Sequence, residues 1–384
     1  MLCTIVLLSL TTLVLGLSPS VLNVSVKAAA STVASVDDIV IGVVVYNPTD
    51  KDIRVIARNN ILDTSATRSF NVSDVNGKLV WFGGVRALYD LSASGIYMTI
   101  PAGGYVAVNH TNIGALYDFE SSGTGTFTFE PIARFQKNSD NPPEVVDVPP
   151  VKVEVTNDVK RRNPYQRPTF PGRSDASMDP DINYLLTDVI SPVSLRLFDK
   201  LRGESGDIPY FPDPPVTVFL FIAAGQSQST PSSHLSINRG SDPAGICGDS
   251  GGVISYTITG YEFIDAFNGD VGYSFQTYLC DAFDSIADHQ DCSNIGPTDS
   301  SQAGVIVHEL RNQLAAFLLD EISYPDTTDV AYGCPAVASI SAEDQLKNPD
   351  NYRVRISPLH PWDLITRSVA VSVSGLRLRI LGFG

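Results

Sequence analysis

Gly304-Val305-Ile306-Val307-His308-Glu309-Leu310-Arg311-Asn312 is the stretch from which the fold can be worked out. Apolar residues recur at helical spacing through it and beyond it, at Val305, Leu310, Leu314, Phe317 and Leu318. Pro297 ends whatever precedes, and Asp299 with Gln302 three positions later can cap the first turn. The pattern therefore predicts a helix on which His308 and Asn312, four positions apart, share one face.

A short polar turn comes after this helix in the sequence. Thr327-Thr328-Asp329-Val330-Ala331-Tyr332-Gly333 offers a carboxylate, then a tyrosine, then a glycine that can adopt positive φ. A zinc peptidase needs two histidines one turn apart on a rigid helix, a glutamate beside the first to activate water, and a third ligand from elsewhere. The sequence supplies His308, Glu309 and Asp329, but Asn312 stands where the second histidine is needed.

These two segments resemble the motifs of a known family, the fungal aspzincin metallopeptidases, which include deuterolysin and peptidyl-Lys metalloendopeptidase. Members carry H-E-x-x-H followed by G-T-x-D-x-x-Y-G, in which the aspartate is the third zinc ligand. The resemblance extends over residues 247–352. It includes the flanking segments Thr277-Tyr278-Leu279-Cys280, Thr298-Asp299-Ser300-Ser301-Gln302-Ala303-Gly304 and Asn348-Pro349-Asp350-Asn351-Tyr352.

The resemblance implies a role for each residue of the two motifs. His308 and Asp329 would bind zinc, Asn312 would occupy the position of the remaining ligand, and Glu309 would be the general base. Tyr332 would donate a hydrogen bond to the oxyanion of the tetrahedral intermediate. The implied function is that of a secreted zinc metalloendopeptidase, with Zn²⁺ as the cofactor and a peptide or protein as the substrate.

Asn312 is the departure with the largest chemical consequence, because a carboxamide oxygen is a poor zinc ligand beside imidazole. Asp326 in place of the second motif's first glycine and the long segment 313–325 are two more departures. Three interpretations remain open. In the first, Asn312 or a nearby group such as His289 or Glu321 completes the site of a weakened peptidase. In the second, the chain is an inactive relative, a pseudopeptidase that binds peptides or proteins; in the third, it is a secreted structural or adhesive module.

The composition is that of a globular, exported protein. The chain has 384 residues, 43% of them hydrophobic, which is ample for the cores of two domains. A formal net charge of −16 argues against nucleic-acid binding, because no basic surface would dominate. The apolar N-terminus, residues 1–20, predicts a signal peptide; a buried strand and a membrane anchor are the alternatives. Sequons of the type N-x-S/T at Asn23, Asn71 and Asn109 agree with export, so the mature protein is expected to be extracellular and without a membrane segment.

The cysteines predict disulfide bonds. Removal of Cys3 with the signal peptide leaves Cys247, Cys280, Cys292 and Cys334, an even number in an exported protein. Four cysteines allow three pairings, and a four-cysteine zinc site is the alternative, although the sequence has no C-x-x-C pair. The family resemblance implies the pairs Cys247–Cys280 and Cys292–Cys334.

The order of elements predicts an α+β protein with two domains. The first is an N-terminal antiparallel β-sandwich over residues 21–157, and the second is a mainly helical, zincin-like metallopeptidase domain with a small β-sheet over residues 175–360. In the first domain we expect His110 at the surface and strands at residues 39–46, 53–57, 78–82, 105–108, 125–130 and 151–156. In the second we expect strands at 216–222, 253–259 and 273–280, helices at 182–201 and 335–347, and His234 in a loop.

The remaining segments connect or extend these domains. Residues 158–174 form a linker that contains Lys160-Arg161-Arg162, either a site for a kexin-like protease or a solvated cluster of charges. Cleavage there would make the first domain the propeptide of a zymogen. The acidic run 281–291 is a solvated helical face or an accessory metal site, and residues 361–384 are a C-terminal extension of unknown role.

Overall fold

The computed structural model describes residues 21–160, 234–240, 242–248, 252–264, 271–286, 301–318 and 328–356. The fold is mixed α+β with more strand than helix, which confirms the predicted class. Residues 21–160 are called the N-terminal region below, and the described residues from 234 to 356 are called the C-terminal region. No helix within these described segments is long and apolar enough to cross a membrane.

The regular structure of the N-terminal region is mainly strand. One short helix, α1 (Ile113–Leu116), and three 3₁₀ turns, Val36–Asp38, Ser94–Ile96 and Glu120–Ser122, interrupt the strands. The strands are β1 (Asn23–Ala28), β2 (Thr32–Ser35), β3 (Ile41–Tyr46), β4 (Ile53–Ile56), β5 (Phe70–Ser73), β6 (Val85–Tyr89), β7 (Tyr97–Ile100), β8 (Tyr105–His110), β9 (Gly125–Pro131), β10 (Arg134–Phe135), β11 (Glu144–Val145) and β12 (Val151–Asp158).

Two main sheets of this region share one hydrophobic core. One has the strand order β1-β3-β8 and the other the order β2-β12-β9-β5, and the short pairs β4-β7 and β10-β11 complete the region. The pairs are antiparallel except β2 with β12, which is parallel. Alternate residues of each strand point inward, as strand geometry requires, so that Val43 and Val45 meet Phe127 and Phe129 in the core.

The C-terminal region contributes three strands and five helices to the described structure. Its longest helix is the one that the sequence predicts. The elements are β13 (His234–Arg239), β14 (Val253–Ile264), β15 (Val271–Leu279), α2 (Asp281–Asp284), α3 (Gln302–Leu318), α4 (Cys334–Ser339), α5 (Ala342–Lys347) and α6 (Pro349–Ile356).

A strand of the N-terminal region completes the sheet of the C-terminal region. The order of this sheet is β13-β15-β14-β6, and β6 runs antiparallel to β14, with Tyr89 opposite Val253 and Val85 opposite Ile258. All five residues of β6 are buried. The boundary predicted between the two domains is therefore crossed by hydrogen bonds of a single sheet.

Helix α3 lies in the core that this shared sheet covers. Every side chain from Ala303 to Asn312 is buried, so this part of α3 is enclosed on all sides rather than on one apolar face. It packs against β14, β15, β6 and α6. Val305, Ile306 and Leu310 join a cluster that includes Val85 and Leu88 of β6, so both regions supply this core.

Several predicted elements agree with the structure and several do not. The strands expected at 39–46, 53–57, 105–108, 125–130, 151–156, 253–259 and 273–280 are present with shifted ends. Residues 78–82 form only isolated bridges, at Leu79 and Phe82, so the strand expected there is wrong. The helix expected at 335–347 is two helices separated at Ile340 and Ser341. His234 begins β13 instead of lying in a loop, and His110 is buried instead of exposed.

One predicted disulfide bond is present. Cys247 and Cys280 are joined, with their Cα atoms 5.2 Å apart. Cys334 is also disulfide-bonded, and its expected partner, Cys292, lies outside the described residues. Other predictions that fall outside those residues concern Asp299, His289, Glu321, the segments 1–20, 182–201, 216–222 and 361–384, and most of the linker 158–174.

Candidate metal centre

His308 stands in the middle of the buried helix α3. The helix begins after Ser301, whose Oγ accepts a hydrogen bond from the backbone N–H of Gly304 at 3.1 Å. The imidazole of His308 is completely buried. A buried imidazole needs a hydrogen-bond partner or a ligand at its nitrogen atoms. The groups that face Nδ1 and Nε2 therefore define the site.

The first partner of His308 is Asp350, which lies in the segment Asn348-Pro349-Asp350-Asn351-Tyr352 and had no predicted role. Asp350 lies in the first turn of α6, directly after Pro349. Its Oδ1 is 2.8 Å from His308 Nδ1. A carboxylate behind a histidine holds the ring in one tautomer and orientation and leaves Nε2 to face a ligand. This arrangement is typical of histidines that bind a metal.

The second neighbour of His308 is the predicted ligand Asp329. Asp329 Oδ1 lies 3.5 Å from His308 Nε2. Both atoms are buried, and neither has a hydrogen-bond partner. In a tetrahedral zinc site with bonds of about 2.0–2.1 Å, neighbouring ligand atoms lie about 3.3 Å apart. The spacing and the missing partners fit two ligands that face a common ion.

Asn348 positions the segment that carries Asp329. Its Oδ1 accepts from the N–H of Val330 at 3.1 Å, and its Nδ2 donates to the carbonyl oxygen of Ala331 at 3.1 Å. The segment ends at Gly333, whose φ of 86° is the left-handed conformation that the sequence predicted for this glycine. The turn is therefore fixed by Asn348, the residue between α5 and α6, two positions before Asp350.

Asn312 lies one turn after His308 and is also buried. Its Nδ2 has no hydrogen-bond partner, although it lies close enough to Glu309 to lower the pKa of that carboxyl. An amide nitrogen is a donor and cannot bind a cation, so Asn312 could bind zinc only through Oδ1 after rotation of the amide. No cluster of three His, Cys, Asp or Glu side chains arranged for a metal is found in the described part of the chain. His308 and Asp329 thus fit zinc, whereas Asn312 fits it poorly.

Glu309 points toward the shared sheet. Its Oε1 accepts from Ser255 Oγ at 2.6 Å, and its Oε2 accepts from Thr257 Oγ1 at 2.5 Å. Ser255 and Thr257 are alternate residues of β14, so both hydroxyls project from the same face of the strand. Each carboxylate oxygen has two lone pairs, so one remains on each oxygen for a further hydrogen bond or a proton.

The groups around His308 are mostly acidic, and a bound cation would balance their negative charge. Burial lowers the pKa of His308, but the hydrogen bond to Asp350 and the charge of Asp329 outweigh it and raise that pKa above its ordinary value. Burial raises the pKa of Glu309 and raises the pKa of Asp329 to about 7. Three buried acids surround one imidazole; the charges of His308 and Arg86 lower the pKa of Asp329 without offsetting its burial, and a bound cation would favour the charged forms further.

The N-terminal region reaches into the site through Asn59. Asn59 adopts a left-handed conformation, with φ of 52°, and its N–H donates to Asp63 Oδ2 at 2.9 Å. Its Nδ2 donates to Asp329 Oδ2 at 2.9 Å and to the hydroxyl of Tyr332. By accepting this bond, the Tyr332 oxygen keeps its own proton for donation. Burial, with the charge of Asp329, raises the pKa of Tyr332 well above its usual range, so the hydroxyl stays protonated.

A second residue of the N-terminal region holds the backbone of Tyr332. Gln136 Nε2 donates to the carbonyl oxygen of Tyr332 at 2.6 Å, and Gln136 Oε1 accepts from its N–H at 2.9 Å. A cavity of about 20 Å³, lined by Asn59, Arg68 and Asp329 among others, adjoins the site. That volume holds about one water molecule, so this cavity is too small to hold a peptide.

The structure brings together all five residues that the motifs predicted: His308, Glu309, Asn312, Asp329 and Tyr332. Asp350, Asn59, Gln136, Ser255 and Thr257 belong to the same site and carried no predicted role. Of these, only Asp350 had a local signal, since Asp after Asn-Pro lies in a segment that resembles the family. Comparison of the sequence with models of known protein families and with curated proteins found no match.

Proposed function

We propose that this protein is a secreted zinc metalloendopeptidase of the deuterolysin-like aspzincin type, which hydrolyses peptide bonds. The observation that supports this proposal is the pair of buried, unpartnered atoms His308 Nε2 and Asp329 Oδ1, 3.5 Å apart, with Asp350 behind the imidazole. The proposal rests otherwise on the resemblance of the two motifs.

His308 and Asp329 would hold the zinc ion, with Asn312 as a weak third contact. When bound, zinc stabilises negative charge that develops on oxygen and makes water a better nucleophile at neutral pH. Glu309 would accept the proton from the attacking water, and its raised pKa, caused by burial, suits a general base. Tyr332 would donate a hydrogen bond to the carbonyl oxygen of the substrate as charge develops there.

The proposal includes the finer architecture and the processing of the chain. The sheets β1-β3-β8 and β2-β12-β9-β5 would form the predicted β-sandwich, and the C-terminal region would be a zincin-like domain. Because Asn59 and Gln136 cover Asp329 and Tyr332, the intact chain would be a latent form. Cleavage by a kexin-like protease at Lys160-Arg161-Arg162 would free Asn59 and Gln136 to move away from the site and let a peptide enter, while β6 stays paired with β14.

A second candidate function is that of a pseudopeptidase that binds peptides or proteins without cleaving them. Asn312 favours it, because an amide replaces a strong zinc ligand. The two hydroxyls on Glu309 favour it as well, since they fix the carboxylate against β14. In this candidate the site retains a structural or weakly metal-binding role.

Zinc titration against a competing chelator tests the proposal. The purified wild-type chain is expected to bind one zinc ion, and Asn312→His is expected to raise its affinity about a hundredfold or more. One of the ligands contributes a few kcal/mol of the roughly 10–16 kcal/mol of a complete site. His308→Ala is the control without binding. If the wild type binds no zinc and Asn312→His brings no gain, there is no zinc site.

Hydrolysis then separates the two candidate functions. Protein cut at residues 160–162 is expected to digest casein, Asn312→His is expected to do so faster, and a chelator is expected to stop both. Glu309→Gln is the matched control, because it retains His308 and Asp329 but removes the base. Zinc binding with no hydrolysis in the cut wild type or in cut Asn312→His would establish the pseudopeptidase instead.

A further inference from the structure

The outer face of the sheet β1-β3-β8 carries exposed apolar side chains. On β3, Ile41, Val43 and Val45 point into the core, so Val44 and Tyr46 point outward and are 39% and 40% exposed. Tyr105 on β8 is opposite Tyr46 and is 66% exposed. Two tyrosines and a valine thus share the outward face of neighbouring strands, and a cluster of exposed apolar side chains usually marks an interface or a covered patch.

Two of the three sequons project from this same face. Asn23 on β1 is directly opposite Tyr46, and Asn109 on β8 is four residues after Tyr105, so both asparagines share the face of the tyrosines. Both are exposed. With strands about 4.8 Å apart and about 3.4 Å per residue, the two asparagines stand roughly 17 Å apart at opposite corners of the face.

The local packing leaves room for a group on Asn109. The residue opposite it on β3 is Gly42, and a Cβ at that position would lie 3.3 Å from Asn109 Oδ1. Beside Asn109 on the same face of β8 is Ala107, which is small and exposed. Small residues, Gly42 and Ala107, therefore lie next to Asn109 on this face.

We propose that Asn23 and Asn109 are both N-glycosylated and that their glycans cover the exposed Val44, Tyr46 and Tyr105. Each Asn Nδ2 loses one proton and forms a bond to C1 of the first sugar. The bond from C1 to the pyrophosphate of a lipid-linked oligosaccharide donor breaks, and the lipid pyrophosphate leaves.

The apolar faces of sugar rings pack on aromatic rings, and cross-strand neighbours lie within about 5.5 Å of each other. A glycan on Asn23 therefore begins beside the ring of Tyr46.

The positions of the two glycans also protect the edges of the sheet. β1 and β8 are the outer strands of β1-β3-β8 in the described structure, and each carries one sequon. An unprotected edge strand pairs readily with another chain. A branched glycan on each edge strand, next to exposed tyrosines, keeps both the edge and the patch away from other copies of the protein.

The proposal shares the assumption of export with the proposed function but needs neither zinc nor hydrolysis. Its test is expression of the full chain in a secreting yeast, followed by release of glycans with a peptide N-glycosidase in ¹⁸O water. The released sites become labelled aspartates that mass spectrometry locates. Label is expected at Asn23 and Asn109 of the secreted protein. The proposal would be overturned by secreted protein that lacks the label at Asn23, at Asn109 or at both. Retention of the wild type in the cell without glycans would overturn it as well.

Covering of the patch is tested on the folded protein, so that a folding defect does not confuse the result. Removal of the glycans from purified wild type is expected to raise the fluorescence of an apolar-surface dye severalfold and to promote self-association. The variant with Asn23→Gln and Asn109→Gln is expected to behave likewise, and adding Tyr46→Thr and Tyr105→Thr is expected to reverse the effect.

Asn71 supplies the matched control. Its sequon lies on β5 of the other main sheet, where Asn71 is half-buried and opposite Glu130. Asn71→Gln is expected to leave dye binding unchanged. Equal dye binding before and after removal of the glycans, or an equal rise in Asn71→Gln, would show that the glycans at Asn23 and Asn109 do not cover the tyrosines.

Discussion

The N-terminal and C-terminal regions differ in what holds them together and in what they contribute to the site. The N-terminal region contains no cysteine, and its two main sheets enclose a core of their own. All four cysteines of the predicted disulfides come later in the sequence, three of them in the C-terminal region, and the core of that region is incomplete without β6. The predicted chemistry lies entirely in the C-terminal region, yet Asn59 and Gln136 of the N-terminal region hold two of its residues. The regions are thus separate in sequence and joined at the site.

The largest effect is expected from removal of the Cys247–Cys280 bond. The two cysteines are 33 residues apart in sequence, and closing such a loop stabilises the folded state by about 4 kcal/mol. We expect Cys247→Ala with Cys280→Ala to lower the protection of β14 and β6 amides against hydrogen exchange together, by about a thousandfold. The amides of β3, whose core is separate, should keep their protection.

The single variants serve as the control, because either one opens the bond. Cys280 is buried, so any additional loss in Cys280→Ala measures its packing. If the amides of β3 lose as much protection as those of β14, the two regions unfold as one unit. Their two cores are then not energetically independent.

A smaller effect is expected at the point where the regions meet. Asn59→Gly removes the amide that holds Asp329, and glycine adopts the left-handed backbone conformation at this position without strain. Loss of a group that orients a ligand typically lowers metal affinity by about 10–100-fold, and we expect a loss of that size in zinc affinity of the intact chain. Competition with a chelator of known affinity measures it.

Asn60 is the matched control for Asn59. Its side chain is also buried, but it bonds to the carbonyl oxygen of Ile56 and the N–H of Leu62 within its own loop. Asn60→Gly should destabilise the loop and leave zinc affinity near the wild-type value. Equal losses in both variants would mean that the N-terminal region supports the site only through general stability.

The smallest effect concerns His110 and lies wholly in the N-terminal region. Burial lowers the pKa of His110 below its ordinary value of 6.5, despite a contact at 3.0 Å between Nε2 and the carbonyl oxygen of Ile61. Protonation of His110 therefore favours the unfolded state. Its contribution to the free energy of unfolding is fully present above the pKa of histidine in the unfolded chain and is lost as pH falls below about 6.5. The loss cannot exceed about 1.4 kcal/mol per pH unit.

Urea unfolding at neutral and mildly acidic pH measures this loss. His110→Gln retains a hydrogen-bond donor and the sequon but cannot titrate, so the difference between wild type and variant isolates His110 from the other histidines. An identical dependence of stability on pH in both proteins would exclude His110 as the cause.

The sequence predicted best where the signal is local. Alternation located β3, β8, β9 and β12, and helical spacing located α3. It failed for β6, because the charged Arg86 interrupts an otherwise apolar strand, whereas the apolar residues at 79–82 resemble one. It failed for His110 because the neighbouring sequon suggested a surface, although Val106, Val108 and His110 alternate inward together.

The candidate site was predictable only within its motifs. His308, Glu309, Asn312, Asp329 and Tyr332 could be assigned from spacing and resemblance. The partners Asp350, Asn59 and Gln136 come from distant parts of the chain, and a hydrogen bond between distant residues leaves no periodic pattern in a sequence. The two hydroxyls on Glu309 were hidden for the same reason, since Ser255 and Thr257 look like ordinary strand residues.

The pairing of β6 with β14 has a consequence for biosynthesis. Tyr89 and Val253 become neighbours although about 160 residues separate them, and such distant pairings form late because closing the intervening loop costs entropy. During translation the N-terminal core can assemble first, while β6, buried on both faces in the finished protein, waits on the ribosome with its apolar side chains uncovered. We therefore expect the nascent chain to need chaperones until its second half emerges, and slowing of translation between the two strands to prolong that exposure.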